Sequence, residues 1–166
     1  MTAITVSNAD WSILDAVRAA LAGATIGEAA AFQSVTITTS DAQAEQCQFR
    51  DSPIAIVRYV TTIEDVTPED VRGCSVAMEL TVAARSQDAG PGESARLQEI
   101  LRLKNAAVNA VEAAPPGGAH AWGGADCYHQ RLQWGRPRID AAVDRPWAVC
   151  RLPLEIGFVL DNGTSH

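Results

Sequence analysis

The clearest periodicity in the chain runs from Cys74 to Ala83, where Val76, Met78, Leu80 and Val82 alternate with Ala77, Glu79, Thr81 and Ala83. A period of two puts each set on one side of a pleated strand, so the segment reads as a strand with one face buried. The pattern returns in Leu152, Leu154, Ile156, Phe158 and Leu160, which predicts a strand over 149–160. Pro153 lies inside that run and has no N–H for a ladder, so it is expected to face an edge or a bulge. The run Ile-Ala-Ile-Val-Arg-Tyr-Val over 54–60 carries only Arg58 as a charge and reads as a central strand covered on both faces or nearly so. Segments 32–39 and 128–134, rich in β-branched or alternating residues, complete about five strands.

Helical spacing appears twice. Trp11, Leu14, Val17 and Leu21 recur at steps of three and four, with Asp10 placed to cap the helix and Gly23 to end it. A longer helix over 93–113, roughly 30 Å, carries the stripe Leu97, Leu101, Val108 and Val111, and Pro115 with Pro116 stops it. That stripe is expected to cover the sheet face of Met78, Leu80, Leu154 and Ile156, leaving Arg96, Glu99, Arg102 and Asn109 toward solvent or a neighbouring subunit. The resulting order, α-β-β-β-α-β-β, predicts an α+β fold: a mainly antiparallel or mixed sheet with two helices on one face.

Between these elements the composition changes. Residues 40–52 are a polar connection, 86–92 break the chain before the long helix, and 114–124 are a Gly/Pro loop. Residues 61–73 hold Glu64, Asp65, Glu69 and Asp70 with Pro68 and Gly73, and read as an exposed acidic loop. Residues 135–146 read as a charged hairpin excursion containing Arg136, Arg138, Asp140, Asp144 and Arg145. The ends, 1–7 and 161–166, are expected to be flexible, and the 166 residues to form one domain without internal repeats.

A hydrophobic content of 47% with 20% charged residues supplies a core that needs neither metal nor disulfide. The net charge of −7 removes any general attraction for nucleic acid or anionic lipid. Residues 1–8 have neither a basic region nor a continuous apolar stretch, so no secretory signal or membrane anchor is expected. The cysteines, at 47, 74, 127 and 150, form no C-x-x-C pair. Cys74, Cys127 and Cys150 lie in or beside apolar segments and read as small buried hydrophobes in a reducing cytosol rather than as metal ligands.

Catalytic chemistry finds little support. His120, His129 and His166 stand outside any catalytic signature, and no phosphate-binding glycine motif is present. Cys127 and His129 alternate with Arg131 on a predicted strand, the most enzyme-like arrangement in the chain, but same-face neighbours two apart are common in structural strands. The carboxylates of 64–70 lack the oxygen spacing of a calcium loop. No cofactor is expected.

The charges themselves are segregated. Twelve of the thirteen basic residues are arginine, and Arg131, Arg136, Arg138, Arg145 and Arg151, interleaved with Trp134 and Trp147, make the C-terminal third basic. Arginine and tryptophan favour protein contacts because both combine large area with directed hydrogen bonds. The candidate subunit interface is therefore Glu64, Asp65, Glu69 and Asp70 of one copy against Arg136, Arg138 and Arg145 of the next. A head-to-tail contact of that kind repeats and closes into a ring when the rotation permits.

The first helix Asp-Trp-Ser-Ile-Leu-Asp-Ala-Val-Arg-Ala-Ala-Leu over 10–21, the strand over 54–60, and the stretch 73–85 leading through a loop into the helix of 93–111 resemble, in order and texture over about residues 8–160, the tail terminator, or tail completion, proteins of tailed bacteriophages. The resemblance implies a small α+β domain that forms a homo-hexameric ring on the end of a tail tube. Such a ring ends tube polymerisation and offers a docking surface to the head-side connector. Its implied partners are itself, the tail tube protein and the connector or neck protein, with DNA as non-specific cargo in the lumen and no membrane. The implied location is the host cytoplasm during assembly and then the virion tail or neck. Another neck or stopper protein, a small cytosolic enzyme and a cytosolic ligand-binding domain are the other readings.

Overall fold

The computed structural model describes residues 9–40, 51–66, 71–113 and 127–161. In chain order the elements are helix α1 (Ala9–Ala22), strands β1 (Thr25–Ile26), β2 (Ala29–Ala30), β3 (Ser34–Thr38), β4 (Ile54–Val66) and β5 (Val71–Arg85), a single turn α2 (Ser86–Ala89), helix α3 (Glu93–Ala113), and strands β6 (Cys127–Trp134), β7 (Arg138–Asp140) and β8 (Trp147–Asp161). The fold is α+β. A six-stranded mixed sheet runs β3-β4-β5-β8-β6 with β7 also on β8, and β1 pairs with β2 as a separate small ladder. Among the described residues only the β3–β4 pair is parallel.

The two alternating segments form the spine. Along β5 and β8 the register sets Val76 opposite Ile156, Met78 opposite Leu154, Leu80 opposite Leu152 and Val82 opposite Cys150. A period of two thus delivers both apolar sets to one side, where α1 and α3 cover them. Ala55 and Val57 of β4 join that core, while Ile54 and Ile56 point the other way into a smaller cluster with Ala83, Trp147 and Val149. This two-sided burial is why 54–60 carries a continuous apolar run.

The long helix α3 is rotated from the stripe read in the sequence, whereas α1 buries Leu14, Val17 and Leu21 as expected and departs only at Trp11. In α3 the buried positions are Arg96, Ile100, Leu103, Ala107 and Val111, whereas Leu97 is 40% exposed and Leu101 and Val108 are half-buried. The expected stripe followed leucine and valine alone and passed over Arg96 and Ala107. Moving the inner line by one residue turns a helix by about 100°. Arg96, expected outside, is only 1% exposed, and its Nη2 donates to the Arg145 carbonyl at 2.7 Å. In α1 the buried positions are Ile13, Leu14, Val17 and Leu21, and Trp11 is exposed. Asp10 sits in the first turn rather than capping it: its carboxylate accepts from Thr62 Oγ1 of β4 at 3.3 Å and from the Trp11 N–H at 2.9 Å. That contact turns residue 10 toward the sheet and Trp11 away from it.

The acidic segment 61–73 is not a loop over most of its length. β4 continues to Val66 and β5 begins at Val71, so Glu64 pairs with Cys74 and Asp65 with Gly73. The β-branched run Thr-Thr-Ile over 61–63 supports extension of the strand despite the charges. A register shift between Tyr59 and Thr61 leaves Val60 as an extra, exposed residue, the mark of a bulge. Of that segment, 67–70 lie outside the described residues, as do 1–8, 41–50, 114–126 and 162–166. The expectations for the connection 40–52, the Gly/Pro loop and the flexible ends fall mostly there, although Asp161 pairs with Val71 as part of β8.

Pro153 behaves as its chemistry requires. It lies where the neighbour of β8 changes from β6, whose last pair is Trp134 with Leu154, to β7, whose first is Arg138 with Arg151. Its carbonyl accepts from the Gly135 N–H at 2.8 Å. A Cβ on Gly135 would come to 2.8 Å from Pro153 Cβ, so only glycine fits this approach.

Candidate functional site

Strand β8 begins at a concave surface on the side of the sheet away from the helices. Arg151 stands opposite Arg138 of β7, and the 141–146 link folds back so that Arg138, Asp140, Arg145, Pro146, Trp147 and Arg151 line a cavity of about 530 Å³. Two arginines directly opposite on one ladder repel each other, so the arrangement needs counter-charge nearby.

Glu79 supplies part of it. Its side chain is only 10% exposed, and its two carboxylate oxygens meet Arg58 Nη2 at 3.3 Å and Arg138 Nη2 at 3.0 Å. Register explains the first contact, because Arg58 is directly opposite Glu79 on the β4–β5 ladder. A carboxylate this deep is tolerated because it is shared by two guanidiniums. Asp140 Oδ2 lies 3.5 Å from Arg145 Nε, and the Arg85 guanidinium stacks 5.8 Å from the centre of the Trp147 ring.

The frame holding these groups is fixed from behind. Arg96 of α3 binds the backbone of the 141–146 link at Arg145, and Trp134 Nε1 donates to Glu112 of α3 at 2.9 Å. The arginines are therefore mounted on β7, β8 and a link tied to the long helix.

The predicted interface residues separate into two places. Arg138 and Arg145 come together in the cavity, while Arg136 is exposed between β6 and β7 and does not line it. Glu64 is exposed on β4 and Asp65 follows it, whereas Glu69 and Asp70 lie outside the described residues. The β5–β8 ladder runs from Arg85 opposite Trp147 at the arginine end to Val71 opposite Asp161 at the acidic end. Within it seven steps at ~3.3 Å, from Cys74 opposite Glu64 to Thr81 opposite Arg151, put roughly 23 Å between Glu64 and the cavity.

Glu79, Arg58 and Arg96 are important to this arrangement and did not stand out as site residues. The signal for the first two was present: each is the single charge in the middle of an apolar strand segment. Along Cys127, His129 and Arg131 a register shift falls between Tyr128 and Arg131, position 127 pairing with Leu160 and position 131 with Gly157; the side chains of 127–130 lie outside the described ones.

Cys74 and Cys150 are buried, and burial pushes the Cys150 thiol up to about 11, partly offset by Lys104. Among the described residues no group of three His, Cys, Asp or Glu side chains is placed to hold a metal. No helix of the described residues is long and apolar enough to cross a membrane. The fold and site thus define an α+β domain with an arginine-lined concavity at one end of its sheet. The chain matches no family model and no curated protein.

Proposed function

We propose that this chain is a structural, ring-forming protein of the tail terminator class, which closes as a homo-hexamer on the end of a phage-like tail tube. The observation that carries the reading is the roughly 23 Å of rigid ladder between Glu64, opposite Cys74, and the cavity's Arg151, opposite Thr81. Complementary surfaces that cannot meet within a chain can meet between copies. A head-to-tail contact of this kind is the one that closes into rings. The α+β layout, in the order the resemblance implies, supports the same reading.

In this role the ring ends tube polymerisation and presents a docking surface to the head-side connector, with DNA passing as cargo. The chain makes and breaks no bond. Cys127→Ser and His129→Ala are accordingly expected to leave association unchanged. Another neck or stopper protein shares the size and ring habit. A ligand-binding role is the second reading, and the concave volume of about 530 Å³ favours it.

Native mass spectrometry of the full chain over a concentration series tests the proposal. A hexamer growing with concentration and retreating with salt supports it, because exposed charge contacts are screened. A salt-insensitive dimer overturns it.

A further inference from the structure

We infer that the cavity lined by Arg138, Arg145, Arg151 and Trp147 is a socket for carboxylate side chains, and that its occupant is the Glu64 flank of the β4–β5 hairpin on a second copy of this chain. The inference rests on the ring reading and names the contact that would close it.

Three features single out the cavity. It is lined by three arginines and one carboxylate, Asp140, on a chain whose net charge is −7. The positive excess is therefore local and opposes the sign of the whole molecule, so the cavity attracts the surface that the rest of the chain repels. Arg138 and Arg151 stand opposite each other across the ladder, so two guanidinium-bearing residues converge on one part of the cavity. Arg138 and Arg145 keep 69% and 64% of their side chains exposed, so both guanidiniums can be reached from outside.

The site is also built to hold its shape. The Arg145 backbone is bound by the buried Arg96, and Arg138 is tied to the nearly buried Glu79. Pro146 and Trp147 give the cavity an apolar wall, with Arg85 stacked on the Trp147 ring. A preformed guanidinium pair loses little freedom on binding a carboxylate, which it can meet with two parallel hydrogen bonds.

Charge complementarity identifies the occupant. Glu64 is exposed on β4 toward the far end of the sheet, and Asp65 follows it in sequence. A second copy carries these groups on a paired hairpin. Nucleic acid fits less well, because a polyanion would approach a molecule of net charge −7 against long-range repulsion.

The test uses two full-length variants with opposite reversals. E64K/D65K has a basic hairpin and an intact socket. R138E/R145E has an acidic hairpin and a reversed socket. Circular dichroism melts confirm folding, and R138Q/R145Q replaces the second variant if Glu at 138 beside Glu79 prevents it. Association is followed by sedimentation velocity at low salt. Each reversed variant alone is expected to associate at least about tenfold more weakly than the parent, and their equimolar mixture to recover to within about threefold, since each hairpin then meets a socket of opposite sign.

With the Gln form, loss of association in R138Q/R145Q and in E64K/D65K separately is the supporting result. If the parent forms rings and the variants alone do so equally well, the socket is wrong and the ring stands. If parent and mixture both remain monomeric, both readings fall. Binding of a fluorescent oligodeoxynucleotide by the parent, lost in R138Q/R145Q, overturns the assigned occupant in favour of a phosphate backbone.

Discussion

Replacing Leu103 by alanine reads out the seating of α3 on the sheet. Leu103 is 1% exposed and sits between Ile100 and Ala107 on the inner line of the helix. Truncation removes three carbons from a fully buried site, about 2.4 kcal/mol at ~0.8 kcal/mol per carbon. The space left behind adds roughly 1–2 kcal/mol, because packed surroundings collapse only partly. The expected loss is therefore about 3–4 kcal/mol, which for a domain of this length lowers the melting temperature by roughly 8–14 °C. Leu97→Ala is the matched control on the same helix: at 40% exposure it should cost under about 1 kcal/mol. Urea unfolding followed by circular dichroism gives both values. If Leu97→Ala costs as much as Leu103→Ala, α3 is turned by one residue and the buried line through Arg96 and Ala107 is wrong.

Other parts of the structure yield equally direct outcomes. Glu79→Gln leaves Arg58 and Arg138 sharing a neutral amide, so stability should fall by about 1–3 kcal/mol at neutral pH, measured by urea titration. Gly135→Ala forces a methyl group into Pro153 and should cost about 1–3 kcal/mol, whereas Gly92→Ala, where the added group meets nothing within 4 Å, should be much milder. Burial raises the Cys150 thiol from its ordinary 9.0 to about 11, so the unfolded chain ionises first as pH rises. The contribution of Cys150 is full below about pH 9 and is lost progressively toward pH 11. The stability difference between parent and Cys150→Ala should shrink across that window; a difference flat from pH 8 to 11 would contradict it.

The strands were legible because a period of two survives any choice of partners: Val76, Met78, Leu80 and Val82 share a face wherever β5 pairs. Residues 61–66 were not, because charges and a nearby proline outweigh β-branching when the pairing strand is unknown. The register shift at Val60 carries no local mark. Both helices were found, α1 with Leu14, Val17 and Leu21 on its inner line, but the rotation of α3 was missed, since Arg96 occupies the core through a hydrogen bond to Arg145, a residue 49 positions away. Two of the candidate interface arginines, Arg138 and Arg145, were legible as a cluster. Their gathering with Arg151 into one cavity depends on the β7–β8 register and on the short strand β7, which the charged composition of 135–146 hides.

The most direct test of the ring is to count copies on the particle. The tagged chain is expressed from its own locus while particles assemble; the particles are purified, copies per tail are quantified by mass spectrometry, and the tag is located with gold-labelled antibody. A tail-terminating hexamer gives about six copies per particle, all at the head-proximal end of the tube. Absence of the chain from particles, or label spread along the tube, would contradict it.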